Sequence, residues 1–229
     1  MNQNEMKLWY LKNIQVFKGL SDEEMRRINE RMIMKNYQKR EYIYLSSENL
    51  DKVFVIKKGN VEIGYIDEGG RELAIDILGK GEIFGAVMGR EGYLGGYARA
   101  IDKALICHMP RQEFEEILQR FPNLSYRILK LLGLKINVLE NKLQNLVFKD
   151  VKTRICELLY NLYRKSGDPD TGRIKIPLTH QDIANLVGST RETASVYLSE
   201  LKKEGVIDYE RKNIQIVSLR GLERYVHEN

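Results

Sequence analysis

The chain has 229 residues, 43% hydrophobic and 30% charged, which describes a globular chain of one or two domains with real cores rather than a low-complexity or fibrous one. Thirty-seven Lys and Arg against 32 Asp and Glu leave a formal net charge of +5, which permits nucleic-acid binding without requiring it. No apolar run is long enough to cross a bilayer and the first residues lack a signal peptide's pattern, so the expectation is a cytoplasmic protein with no membrane partner.

The first elements are helical. Leu8, Leu11, Ile14 and Val16-Phe17 are apolar, and Ser21 with Glu24 three residues on forms a capping box at a helix start. From Tyr42 to Met109 the period changes to short β-rich runs: Tyr42–Leu45, Val53–Ile56, Val61–Ile66, Leu73–Leu78, Glu82–Phe84, Tyr97–Ile101 and Ala104–Met109. Turn signals separate them, Gly69-Gly70 among them, and the spacing predicts a β-barrel or double-sheet roll.

Pro110 opens a helix with Phe114, Ile117 and Leu118 on one side. After Pro122 a longer helix runs to about Phe148 and carries Leu132, Ile136, Leu139, Leu143 and Leu146, spaced alternately by four and three. Such a seam fits a parallel two-stranded coiled coil and hence a homodimer. It also fits a helix that packs its stripe on its own roll. Lys149-Asp150 reads as a hinge. A further helix from Val151 to about Lys165 turns Ile155, Leu158, Leu159 and Leu162 inward, and Arg173–Pro177 reads as a strand.

The stretch LTHQDIANLVGSTRETASVYLSELKKEGVI, residues 178–207, carries the most information. Thr179 with Asp182 is close to a capping box, and Ile183, Ala184 and Val187 give the helix that follows a buried stripe. Gly188 breaks that helix, and Ser189 or Thr190 caps the next. Ala194, Tyr197, Leu198 and Leu201 face inward, with Glu204-Gly205 as the stop. The outward residues near the start of this second helix are then Arg191, Glu192 and Ser195. Arg donates two hydrogen bonds to a guanine edge and Glu accepts from a cytosine amino group, so the pattern is that of a helix-turn-helix reading double-stranded DNA. Val206–Tyr209 and Ile214–Val217 flank a turn with Arg211 and Lys212 near its tip, a wing whose basic residues suit phosphate. Charge does not mark out this part: residues 149–229 hold 14 Lys and Arg against 12 Asp and Glu.

With these segments in place the chain resembles the CRP/FNR family of bacterial transcription regulators. The resemblance rests on KGNVEIGYI and KGEIFG in the roll, NLVFKDVKTRI at the end of the long helix, and LTHQDIANLVGSTRETASVYL. It implies an α+β architecture: an N-terminal β-roll of the cyclic-nucleotide-binding kind over residues 1–121, a dimerisation helix over 122–148, and a C-terminal winged helix-turn-helix over 149–229. It further implies a dimer on an inverted-repeat operator, most often activating transcription through contact with RNA polymerase. Arg191 and Glu192 match the family's base readers, and Thr179, Gln181, Thr190 and Thr193 match phosphate-contacting positions. His180 stands where the cyclic-AMP receptor has a basic backbone-side residue, and Val196 where it has a second base-reading arginine.

The resemblance fails at the effector. Ala86 stands at the position of the glutamate that holds the cyclic-AMP ribose, and Leu94 at that of the phosphate-binding arginine. Leu139 and Glu140 replace the Thr and Ser that meet adenine. A buried phosphate without a countercharge is very costly, which argues against cyclic AMP in the usual pose. Arg90 or Arg99 offers a substitute charge in principle; the simpler readings are a solvated loop residue and a structural strand residue. No cysteine precedes Cys107, which argues against the N-terminal iron–sulfur cluster of the oxygen-sensing branch. A haem or thiol sensor using His108, Cys107 or Cys156 stays open beside the plainer reading of a buried Cys107 and an exposed His108; His180 and His227 share no metal-ligand spacing with His108. Gly85, Ala86, Val87, Leu94, Gly95 and Gly96, with Leu139 and Glu140, either line a more apolar pocket for a small organic effector or belong to a filled roll that needs none. No nucleophile beside a base, phosphate-cradling loop or metal motif points to an enzyme.

Overall fold

The structure, a computed structural model, describes residues 14, 17–45, 51–87 and 96–227. The expected helix ahead of Phe17 lies almost wholly outside these residues. Helix α1 (Asp22–Arg31) starts where Ser21 closes its capping box: the Glu24 amide donates to the Ser21 hydroxyl at 3.2 Å and the Ser21 amide to the Glu24 carboxylate at 2.6 Å. Eight strands follow: β1 (Ile33–Tyr37), β2 (Tyr42–Tyr44), β3 (Lys52–Lys58), β4 (Val61–Ile66), β5 (Glu72–Leu78), β6 (Ile83–Gly85), β7 (Gly96–Ala100) and β8 (Ala104–Pro110). They form two four-stranded sheets, ordered β1-β8-β3-β6 and β2-β7-β4-β5, which is the expected roll with β1 added.

The alternation of side chains along β3 and β8 builds two cores from one sheet. Val53, Val55, Cys107 and Met109 face outward and pack with Phe17, Met25, Ile28, Phe114, Ile117, Leu124 and Ile128 from the helices. Phe54, Ile56 and Ile106 face the interior of the roll, with Tyr44, Val61, Leu78, Phe84 and Ala98. Burial on both faces explains why β3 reads as an unbroken apolar run. The interior is aromatic: the Phe54 and Phe84 rings stack with centroids 5.0 Å apart, and Tyr44 lies 5.7 Å from Phe54.

Helix α2 (Arg111–Arg120) follows Pro110, and α3 (Pro122–Phe148) is the long helix. Helix α4 (Val151–Ser166) is capped by Asp150, whose carboxylate accepts from the Thr153 amide at 2.8 Å; that bond holds the Asp150 carboxyl below the usual carboxylate range. Helices α5 (His180–Val187) and α6 (Arg191–Lys203), strands β9 (Ile207–Glu210) and β10 (Asn213–Ile216) and helix α7 (Leu219–His227) complete the fold. The strand expected at Arg173–Pro177 is reduced to single bridges, Gly167 with Ile174 and Arg173 with Gln215. Pro177 has no amide hydrogen to extend such pairing. The chain divides into two compact units, residues 1–69 with 76–136 and residues 70–75 with 137–229. Among the described residues no helix is long and apolar enough to cross a membrane.

Candidate nucleic-acid interface and sensor segment

The helix-turn-helix is fixed by its caps. Thr179 accepts from the Asp182 amide at 3.1 Å, and the Asp182 carboxylate accepts from the Thr179 amide at 2.7 Å, so the capping box is complete. Ile183, Ala184, Asn185 and Val187 are buried. The buried Asn185 carbonyl takes a 2.7 Å hydrogen bond from the Gln181 amide group. Gly188 adopts φ 64°, ψ 51°, the left-handed conformation that ends α5 and redirects the chain into α6. Thr190 then caps α6, accepting from the Thr193 amide at 3.2 Å. Ala194, Leu198 and Leu201 are buried, and Tyr197 is half-buried.

Counting forward from the Thr190 cap, Arg191 and Glu192 occupy the exposed first turn of α6. Neither side chain forms a hydrogen bond or ion pair among the described residues. An arginine fork and a carboxylate, side by side on a helix held from behind by a buried stripe, can address adjacent base edges. Ser195 is placed differently from the expectation of an outward residue. It is half-buried, with its hydroxyl 2.9 Å from His180 Nδ1. The His180 ring in turn meets Tyr209 edge-on at 4.9 Å between centroids, and the Tyr209 hydroxyl lies 3.2 Å from that of Ser199. His180 therefore links the start of α5, the second turn of α6 and the wing strand β9. Burial, with the Arg191 charge adding to it, pushes the His180 imidazole below its usual pKa.

The wing is an antiparallel pair in which Ile214 faces Tyr209 and Ile216 faces Ile207. Arg211 sits at its tip, exposed, with φ 53°, and Lys212 beside it is half-buried. Thr179 and His180 are half-buried at the start of α5 while Gln181 is exposed; Thr190 is exposed and Thr193 half-buried at the start of α6.

The stripe expected to form a seam on α3 is largely outward. Ile136 is 56% exposed, Leu139 45%, Leu143 64% and Leu146 47%. Leu132 departs from that stripe: it is half-buried and packs on the chain's own core, so it does not belong to the outward face. Tyr126 at 70% and Leu129 at 62% extend that face toward the start of the helix instead. The steps from Tyr126 to Leu129, Gly133 and Ile136 are three, four and three, but the next, to Leu139, is again three, so this stretch does not share the register of the leucines. At the expected hinge, Lys149 forms an ion pair with Glu157, and Asn145 also hydrogen-bonds that carboxylate. The backbone leaves the helix at Lys149-Asp150, but side chains on both sides share one acceptor.

In the segment expected to line an effector pocket Gly85 has φ 91°, and a Cβ there would lie 2.5 Å from the Lys52 carbonyl. Only glycine allows β6 this approach to β3. Ala86 is fully buried, its amide donating to that same carbonyl at 2.9 Å. Val87 packs with the outer, helix-side core rather than the roll interior, so it does not line the interior. Gly96 is buried at the start of β7, and Leu139 and Glu140 are exposed on α3. Leu94, Gly95 and Arg90 lie outside the described residues.

Arg99 lies opposite Glu62 across β7 and β4, and the two form a 2.6 Å ion pair with Glu62 2% exposed. Tyr97 donates to the same carboxylate at 2.9 Å, and Arg99 donates to the Tyr42 hydroxyl at 3.2 Å. The guanidinium is thus committed to the sheet, as a structural strand residue would be. Cys107 is fully buried against the outer helices. His108 is not exposed as expected: it is half-buried, 5.7 Å from the Phe54 ring, and burial followed by the Lys52 and Lys35 charges pushes its pKa down. Burial pushes the Cys156 thiol up to about 12, which suppresses the reactive thiolate.

A model of the cyclic nucleotide-binding domain family matches residues 34–121, and a model of the Crp-like helix-turn-helix domain family matches residues 153–225. The chain is 26% identical over 212 residues to the CRP-like cAMP-activated global transcriptional regulator of Mycobacterium tuberculosis, covering 91% of this chain and 95% of that protein. It is 28% identical over 189 residues to the global nitrogen regulator of Synechocystis, covering 80% of this chain and 84% of that one. Among solved structures, a mutant of CooA from Carboxydothermus hydrogenoformans superposes with a TM-score of 0.74 at 24% identity, over 96% of this chain and 95% of that one, a likeness of fold. A roll, a long helix and a capped helix-turn-helix, matched in that order along nearly the whole chain, lead to one assignment: the chain is a DNA-binding transcription regulator and belongs to the CRP/FNR family.

Proposed function

We propose that this regulator works as a homodimer on an inverted-repeat operator, with Arg191 and Glu192 of each subunit on base edges in the major groove. The observation that carries the reading is the exposed Arg191-Glu192 pair, held in the first turn of α6 by the Thr190 cap and the buried Ala194, Leu198 and Leu201. Thr179, His180, Gln181, Thr190 and Thr193 suit the flanking phosphates, with Ser195 acting through His180, and Arg211 and Lys212 add the wing. The outward stripe of α3 supplies the dimer seam, and residues 1–121, 122–148 and 149–229 serve as sensor, seam and DNA-binding parts. The site of action is then the cytoplasm, with activation through RNA polymerase as the mode.

We further propose that the effector is not cyclic AMP. Ala86 and Leu94 offer no group for ribose or phosphate, and Arg99 already pairs with Glu62. The aromatic filling of the roll by Tyr44, Phe54 and Phe84 favours a second reading, a regulator governed by its own abundance with no ligand. A thiol-switched version gains nothing from a Cys156 thiol raised to about 12.

Arg191→Ala tests the reader assignment. It should cost about 1–3 kcal/mol of discrimination for a guanine in each half-site, while weak, salt-sensitive DNA association persists. Competition gel shifts with matched and guanine-substituted duplexes measure this, and unchanged selectivity refutes the assignment.

A further inference from the structure

One side chain on the exposed face of α6 is apolar. Val196 is 55% exposed, while the other exposed positions of that helix are Arg191, Glu192, Lys202 and Lys203. An amphipathic helix keeps its outer face polar, and a β-branched residue there has below-average helix propensity as well as bare apolar surface. Val196 lies four residues after Glu192, hence one turn on along the same side of the helix. The flanking hydroxyls are already committed. Ser195 meets His180, and Ser199 donates to the Ser195 carbonyl and meets Tyr209. The side chain offered to the groove by the second turn is therefore a valine.

Valine has no donor or acceptor and cannot read the hydrogen-bonding pattern of a base edge. The apolar group that base pairs display in the major groove is the C5-methyl of thymine. We infer that Val196 packs against a thymine methyl and so specifies a thymine at one position of each half-site. The inference rests on the reading of α6 as the recognition helix and adds the chemistry of one more base pair. A rise of about 1.5 Å per residue puts Val196 about 6 Å along the helix from Glu192. That corresponds to roughly two base steps of about 3.4 Å, so the thymine falls close to the base pairs addressed by Arg191 and Glu192.

The test begins with selection of tight-binding duplexes from a randomised pool by the full-length protein. Each thymine of the selected half-site is then replaced by deoxyuridine, which removes the methyl and nothing else. Wild-type protein should lose about four-fold in affinity at one position, and about fifteen-fold when both half-sites carry the change, as for about one methyl-sized group buried per contact. Val196→Ala, at an exposed site that leaves the fold intact, should bind thymine and uracil duplexes equally at that position. Equal wild-type affinity for thymine and uracil at every position overturns the inference, as does an unchanged uracil penalty in Val196→Ala. Either result leaves the guanine dependence through Arg191, and so the reading of α6, standing. A pool from which no duplex can be selected overturns both.

Discussion

Glu62 is a carboxylate at 2% exposure, held by Arg99 at 2.6 Å and by the Tyr97 hydroxyl at 2.9 Å. Removing one partner of a buried pair leaves an uncompensated charge, whereas the intact pair roughly offsets its desolvation. Arg99→Met should therefore lower unfolding stability by about 3 kcal/mol, measured by urea denaturation at neutral pH. A loss of under half a kcal/mol, the range of ordinary surface substitutions, contradicts a structural role for this pair. Arg99 was legible as a strand residue, but its partner was not: Glu62 faces it only once the register of β4 on β7 is known. The same limit hid the contacts of His180 with Ser195 and Tyr209, which join residues that no helical or strand period relates. Arg191 and Glu192 were legible because their places count directly from a capping threonine.

At the scale of elements, α3 presents two different faces. Leu124, Ile128 and Leu132 belong to the subunit's own core, while Tyr126, Leu129, Ile136, Leu143 and Val147 are exposed. Leu143→Lys should weaken self-association by roughly 3 kcal/mol, over a hundredfold, because each subunit brings an unpaired ammonium into the seam. Leu132→Ala should instead lower unfolding stability by about 2 kcal/mol and leave association unchanged. Sedimentation velocity at micromolar protein separates the two outcomes, and an unaltered coefficient for Leu143→Lys counts against the seam. Most elements could be read in advance because period and punctuation agree in them, as in β3, β4, β8 and the capped α5 and α6. Strand β1 could not: its residues Lys35 and Asn36 break the alternation, and it lies at a sheet edge, paired with β8 alone. Helix α7 is not legible in the sequence because Gly221 sits in its first turn, where glycine normally argues for a loop.

At the scale of the whole molecule, the proposed dimer couples two copies of one short helix through a seam far from it in sequence. A two-fold dimer presents its recognition helices about 34–36 Å apart and reads half-sites about 10 base pairs apart, centre to centre. On the proposed reading each subunit contributes the same contacts, so an inverted repeat should be bound far more tightly than either half alone. The most direct measurement is the mass and affinity of the complex formed on a duplex selected by the protein, by sedimentation equilibrium at near-physiological salt. The proposed dimer requires two chains per duplex, a selected sequence with two-fold symmetry, and an affinity that falls about a hundredfold or more when one half-site is scrambled. One chain per duplex, or equal affinity for the intact repeat and the scrambled one, would contradict it.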